Sequence, residues 1–323
     1  MYFNKLNSFY HGIMFHHFHD EVTHPKSQGS ISKDDFYKII NYIGKENILD
    51  ADIFFERFKN KKLKKNQVCL TFDDGIKCQI DVALPVLEDL KIKSFFFTYT
   101  SLFDGEPDNL EVFRYFRTNN FSSIDKFYKS FFDLLDMDLD YFFEKNKNNI
   151  KQVKRNFPFY SIEDIRFRLV RDTLITKQKY ENTIKKLMDE KKFKPEKFYS
   201  KLFFNTKDVI NLDKLGHLVG LHSHSHPTLI ERLSYEEQKI EYEKSLSIIS
   251  RVLGKPKNCI KYMSHPCGSY NGDTLKVLKE LGIELGFKQI MTVEPEKKME
   301  TINNSFLEVA RQDHIEILKE IKR

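Results

Sequence analysis

The chain has 323 residues, 40% of them apolar and 31% charged, which allows one large α/β domain or two smaller ones with a sizeable core. Lys and Arg outnumber Asp and Glu by only 53 to 47, so nucleic acid is not an indicated partner, and the basic run KNKKLKK (59–65) reads as solvated loop. Four cysteines without C-x-x-C spacing exclude a disulfide scaffold and a metal ribbon; with no signal-like N-terminus and no run of ~18 apolar residues, a cytoplasmic protein without a transmembrane segment is expected.

In chain order, HGIMFHHF (11–18) reads as a first strand, and a helix begins at Ser32 with Asp34 and Asp35 in its first turn, where they favour the helix dipole. QVCLTF (67–72) is a short, nearly continuous apolar run of the kind covered on both faces in a parallel sheet. A helix over 81–92 (DVALPVLEDLKI) and a strand over 93–100 (KSFFFTYT) complete a βαβ unit. Residues 104–202 then change texture to aromatic- and lysine-rich helical patterns broken at Pro158 and Pro195. That block reads as a helical insertion between barrel parts 1–103 and 203–323, a candidate for a lid or a homo-oligomer contact.

Alternation resumes with a helix ending at Gly216, a strand in HLVGLHSH (217–224), and a long amphipathic helix stopped by Gly254. The strand CIKYMSHP (259–266), the helix NGDTLKVLKELG (271–282), the strand LGFKQI (285–290) and the helix HIEILKEIKR (314–323) follow. Strands joined by helices without hairpin signals predict a mostly parallel α/β fold, closed or nearly closed into a barrel.

Reacting groups in such folds sit on the loops after the strands. Three clusters fall there: Asp73-Asp74-Gly75, the stretch His222 to Pro227 (HSHSHP), and Ser264 to Asn271 (SHPCGSYN). His222 and His226, four apart, can face one centre, and a carboxylate from a neighbouring strand end makes a two-histidine, one-carboxylate set for a divalent metal. Only one aspartate is needed as a ligand; the other is left to act as a base on water at the metal, and the ion relieves their mutual repulsion. A zincin protease needs glutamate after the first histidine, where Ser223 stands. A non-haem iron oxygenase uses the same ligands but leaves the second aspartate and the α/β pattern unexplained.

LTFDDG, GLHSHSHPTL and HPCGSYN, in this order, resemble the polysaccharide deacetylase (NodB-homology) family, the fourth family of carbohydrate esterases, over roughly residues 10–100 and 200–315. The resemblance implies a distorted (β/α) barrel and a hydrolase that removes N-acetyl groups from amino sugars with one divalent metal. Zinc suits the ligands best, and cobalt, nickel or iron(II) suit them too. It makes Asp73 the base and Asp74, His222 and His226 the metal ligands. It also places Cys267, with Pro266, Gly268 and Tyr270, at the oxyanion and substrate. Many members begin the third motif with an arginine on the catalytic aspartate, where this chain has Ser264, and many carry an Asp-Trp motif, whereas this chain has no tryptophan. ARQDHIEIL resembles a variant with a late arginine, which makes Arg311 the candidate partner of Asp73. The general acid is then His16, or else His314, while His224 and His265 read as pocket walls or satisfied polar groups and not as ligands. The expected substrate is an N-acetylated sugar or glycan precursor. The alternatives are a non-sugar amide or O-acetyl ester, or an inactive sugar-binding relative.

Overall fold

A computed structural model describes residues 11–107, 109–156, 160–289 and 305–322. Pro158, Ile290 and Arg323, which enter the expectations above, lie outside the described residues. The chain divides into two compact units, Met1–Pro107 with Ser200–Arg323, and Asp108–Tyr199.

The first unit is a closed barrel of seven parallel strands in chain order: β1 (Gly12–Phe15), β2 (Cys69–Phe72), β3 (Phe95–Thr98), β4 (Leu218–Leu221), β5 (Tyr262–Ser264), β6 (Leu285–Gln289) and β7 (Val309–Asp313). β7 closes the ring by pairing with β1, Gly12 opposite Arg311. Side chains two apart share a face of a strand, so Cys69, Phe95, Phe97, Leu285, Phe287 and Val309 form one interior cluster. Ala51, Phe54 and Phe55 of the helix Ala51–Lys59 pack on that cluster, next to the residues that begin the strands. This fills one end of the barrel with apolar rings and leaves the chemistry to the other. The opposite faces carry an aromatic layer, with Phe15, Phe36 and Phe72 at ring separations of 4.9 to 6.1 Å.

The helix signals in the sequence have local causes. Ser32 caps Lys33–Ile43 by accepting from the Asp35 N–H at 3.1 Å, while the Asp35 carboxylate accepts from the Ser32 N–H at 3.4 Å. Gly254 ends Tyr235–Leu253 in the left-handed conformation, φ 63°. The helix expected over 81–92 is different in detail: a π-helical turn, Gln79–Ala83, precedes the α-helix Leu84–Leu90. Pro85 lacks the N–H that a regular α-turn needs, and the widened turn accommodates it.

The second unit contains the helices Asn109–Asn119, Ile124–Asp133, Leu139–Lys145, Lys147–Asn156, Ile162–Leu169 and Lys177–Glu190. Phe116, Phe127, Phe131, Phe167 and Ile184 are buried among them. Inside this apolar packing Asp164 is fully buried and accepts from the Tyr128 hydroxyl at 2.9 Å and Arg168 Nε at 3.2 Å, so its charge is compensated. No described helix in either unit is long and apolar enough to cross a membrane.

Three buried histidines of the barrel unit make the fold sensitive to acid. Burial pushes His11 and His217 down to about 4 and His265 to about 3. The unfolded chain takes up these protons near pH 6.5 and the folded chain does not, so stability is full above that pH and falls below it. Each histidine should weaken the fold by about 2 kcal/mol between pH 7.5 and pH 5. Urea denaturation at the two pH values measures this, and a flat profile would show that the folded imidazoles protonate freely.

Candidate active site

The DDG, HSHSH and SHPCG segments each leave a strand end, and each turns through left-handed backbone at a residue other than glycine. Asp74 has φ 77°, Ser223 61°, His226 54° and Cys267 52°. Such conformations are costly away from glycine and concentrate where side chains must be aimed. Gly75 follows at φ 62° with Thr98 so close that no side chain could fit there. The turn therefore needs glycine for both shape and space.

Asp74 Oδ1 lies 3.1 Å from His222 Nε2 and 3.3 Å from His226 Nε2. The ligand atoms of these three residues lie within 4.8 Å of one another. The Ser264 carbonyl, 2.9 Å from His222 Nδ1, can only accept, so Nδ1 carries a hydrogen and Nε2 is the nitrogen turned towards Asp74. A bare lone pair facing a carboxylate oxygen at this range is unfavourable unless a cation or a proton sits between them. The donor set thus fits a divalent metal: two imidazole nitrogens and one carboxylate, with a carbonyl orienting one of the rings. Burial would raise the Asp74 pKa, but His16, His222 and His226 around it outweigh burial and hold it well below the ordinary carboxylate range.

The loop that carries the two histidines is fixed by a carboxylate the motif does not include. Glu241 accepts from the His224 N–H at 3.0 Å, the Ser225 N–H at 2.8 Å and the Ser225 hydroxyl at 2.7 Å. The His224 ring instead meets the Thr100 hydroxyl at 2.9 Å. His265 donates from Nε2 to the Leu307 carbonyl at 2.8 Å and stacks on Tyr270 at 4.3 Å. Both rings are thus held by hydrogen bonds within the fold.

Asp73, 2% exposed, meets Arg311 through two parallel hydrogen bonds, Nη1 to Oδ1 and Nη2 to Oδ2, each 2.8 Å. Arg311 is 1% exposed and extends through the barrel interior past Gly12, where a Cβ would stand 2.7 Å from Arg311 Cγ. Thr71, two residues before Asp73 on the same face, receives Nη1 at 3.2 Å. Burial would raise the Asp73 pKa; the Arg311 charge foremost, then His222, outweighs it and keeps the carboxyl below its usual range. Ser264 donates to Asp73 Oδ1 at 3.1 Å and lies 2.7 Å from His222 Nδ1. A lone serine carries no signal in a sequence, so this bridge between Asp73 and His222 is visible only in the structure.

His16 Nε2 lies 3.9 Å from Asp73 Oδ2 and 4.0 Å from Asp74 Oδ2, with the ring 26% exposed. His314 is placed otherwise. It is 2% exposed, with Nδ1 3.0 Å from the Met14 carbonyl, Nε2 3.0 Å from the Gly29 carbonyl and its ring stacked on Phe15. Both of its nitrogens thus face main-chain carbonyls. Pro266, Cys267 and Gly268 form a 3₁₀ turn directly after Ser264 and His265, with Pro266 buried and Cys267 exposed. The Tyr270 hydroxyl donates to Glu308 at 3.0 Å.

The fold is similar to the deacetylase PplD of Streptococcus pyogenes, in a complex with acetate: TM-score 0.55, 15% identity, 94% of this chain and 91% of that one. It is also similar to IcaB from Ammonifex degensii (TM-score 0.54, 12% identity, 97% and 96%). A de-N-acetylase from Aggregatibacter actinomycetemcomitans gives a TM-score of 0.53 at 13% identity (94% and 95%). At these identities the likeness is one of fold. No curated protein is significantly similar to the chain. The family described as Polysaccharide deacetylase matches residues 60–115 and 175–286, more than half of the chain, and these stretches include Asp73, Asp74, His222, His226 and the turn from Ser264 to Tyr270. The chain belongs to the polysaccharide deacetylase family.

Proposed function

We propose that the chain is a metal-dependent carbohydrate N-deacetylase that hydrolyses an N-acetyl group on an amino sugar or a glycan precursor. One observation carries the reading. A buried carboxylate held by arginine, Asp73, adjoins a three-residue donor set suited to a divalent ion, with an imidazole, His16, within 4 Å of both aspartates. A pure binding site has no use for an ionised base beside such a set. Family membership supplies the substrate class.

A divalent ion held by Asp74, His222 and His226 would polarise the acetyl carbonyl and acidify water there. Asp73 accepts the proton of the attacking water. Its Oδ1 already takes bonds from Arg311 and Ser264, whereas Oδ2 takes only one from Arg311, so Oδ2 is the oxygen with capacity left. Arg311 keeps the carboxylate ionised at neutral pH and fixes its plane. The main-chain N–H of Cys267 is assigned to the developing oxyanion. His16 Nε2, on the open side of the pair, delivers a proton to the amine nitrogen as the C–N bond breaks.

Elemental analysis tests the reading on protein stripped with chelator and reloaded with zinc, cobalt or nickel. One tightly held ion per chain is expected, lost in Asp74→Ala together with acetate release from N-acetylated amino-sugar oligomers. An intact protein that holds no ion in any of the three loadings would overturn it.

A further inference from the structure

Gln79 is fully buried at the start of the π-helical turn Gln79–Ala83 and belongs to none of the three motifs. Its side-chain Nε2 donates to the main-chain carbonyl of His16 at 3.0 Å and to that of Asp73 at 2.6 Å. A carbonyl can only accept, so two carbonyls at one end of the amide identify that end as the NH2 group, with both of its hydrogens engaged. The Oε1 at the other end is buried and has no hydrogen-bond partner.

The two carbonyls come directly after the strands. His16 follows β1 at Phe15, Asp73 follows β2 at Phe72, and the ladder between them ends with the Asp73 N–H donating to the Phe15 carbonyl at 3.1 Å. Beyond that rung the two chains separate, one towards Phe18 and one into the DDG turn. The Gln79 amide supplies the next rung in place of the missing strand residues. Nearby, the Phe18 N–H donates to Cys78 Sγ at 3.3 Å, so consecutive residues of the helix start hold the same loop. The widened turn sets Gln79 where its amide faces both strand ends; such turns recur at functional sites. An unpaired buried acceptor is unfavourable for stability, which argues that the residue serves the bridge.

We infer that Gln79 is a positioning residue that sets His16 opposite Asp73 by joining their main-chain carbonyls through one amide. The inference rests on the acid and base roles proposed above. Gln79 touches no reacting atom, and its amide bonds to main chain and not to the side chain of Asp74, His222 or His226.

The test is a double-mutant cycle on the zinc-loaded full chain, with acetate release from N-acetylated amino-sugar oligomers as readout. Gln79→Met keeps the length and removes both bonds. It should lower kcat about 10- to 100-fold with KM within about twofold, because misplacement of a proton donor affects the chemical step. Zinc stoichiometry should stay at the wild-type value. In a His16→Ala background the same substitution should change kcat by no more than about twofold, since no acid is left to position. Gln79→Asn keeps the amide but falls one methylene short, and serves as the second variant should Gln79→Met not fold; the same pattern is expected. Equal losses in the presence and absence of His16 would overturn the inference and leave a structural role. If His16→Ala itself keeps full turnover, the acid assignment fails instead, and the two failures are distinct.

Discussion

Asp73→Asn is expected to lower kcat by about 10³-fold or more while leaving metal stoichiometry at the wild-type value, because a positioned base contributes roughly 10²–10⁴-fold. The separation of the two effects follows from the geometry. The chain turns through left-handed backbone at Asp74, and Asp74 Oδ1 lies against His222 and His226 whereas Asp73 lies against Arg311. Asparagine nearly preserves the shape and keeps one acceptor for Arg311 Nη1, while its NH2 replaces the oxygen that takes a proton and that also accepts from Arg311 Nη2. No donor of the metal set is altered, and the Ser264 carbonyl still orients His222. Parallel measurements of acetate release and of bound metal decide the matter. A near-normal rate would remove Asp73 as the base; loss of metal together with rate would mean that the ligand and base roles of the pair are not divided in this way.

The place of these residues at strand ends explains how much of the site is legible in the sequence. Strand ends are marked by apolar runs that stop abruptly at charge, and that places Asp73, His222 and Ser264 at one end of a parallel barrel before any coordinates. Caps such as Ser32 and Gly254 are local and readable for the same reason. β7 escapes this logic. VARQD sends Val309, Arg311 and Asp313 to one face and Ala310 and Gln312 to the other, so its interior positions are mostly charged and the apolar pattern of a buried strand is absent. The charge is tolerable only because Asp73, more than two hundred residues earlier, meets it inside the barrel. Ser264 and Gln79 are hidden for a related reason. Their value lies in which long-range partner a hydroxyl or amide meets, and composition does not encode that. The helix Ala51–Lys59 is a different case. Ala51, Phe54, Phe55 and Phe58 recur at helical spacing, a signal present in the sequence but absent from the expectations above.

Arg311→Met should destabilise the barrel by about 3–5 kcal/mol at neutral pH, the usual cost of leaving one charge of a buried pair uncompensated. Methionine replaces the stem that passes Gly12 but not the fork that holds Asp73, which is 2% exposed. The sign of the pH dependence tells this apart from a packing defect. In the wild type the Asp73 pKa is depressed, so its contribution is present above the unfolded carboxyl value and lost only as pH falls through the lower folded one. Without Arg311, burial prevails and the pKa rises above the unfolded value. The folded variant then binds the extra proton, and its deficit relative to wild type should shrink as pH falls from 7 towards 5. The acid limb of kcat/KM should move to higher pH in the same variant, since the base must first lose that proton. Ser264 offers Asp73 a single neutral bond at 3.1 Å, which does not replace a bidentate guanidinium. Adding Asp73→Asn to Arg311→Met removes the stranded charge, so the double variant should be more stable than the sum of the two single losses. Urea denaturation of the four proteins at pH 7 and pH 5 measures all of this. A deficit that is independent of pH and additive across the pair would mean that Arg311 fills space in the barrel and does not hold the base.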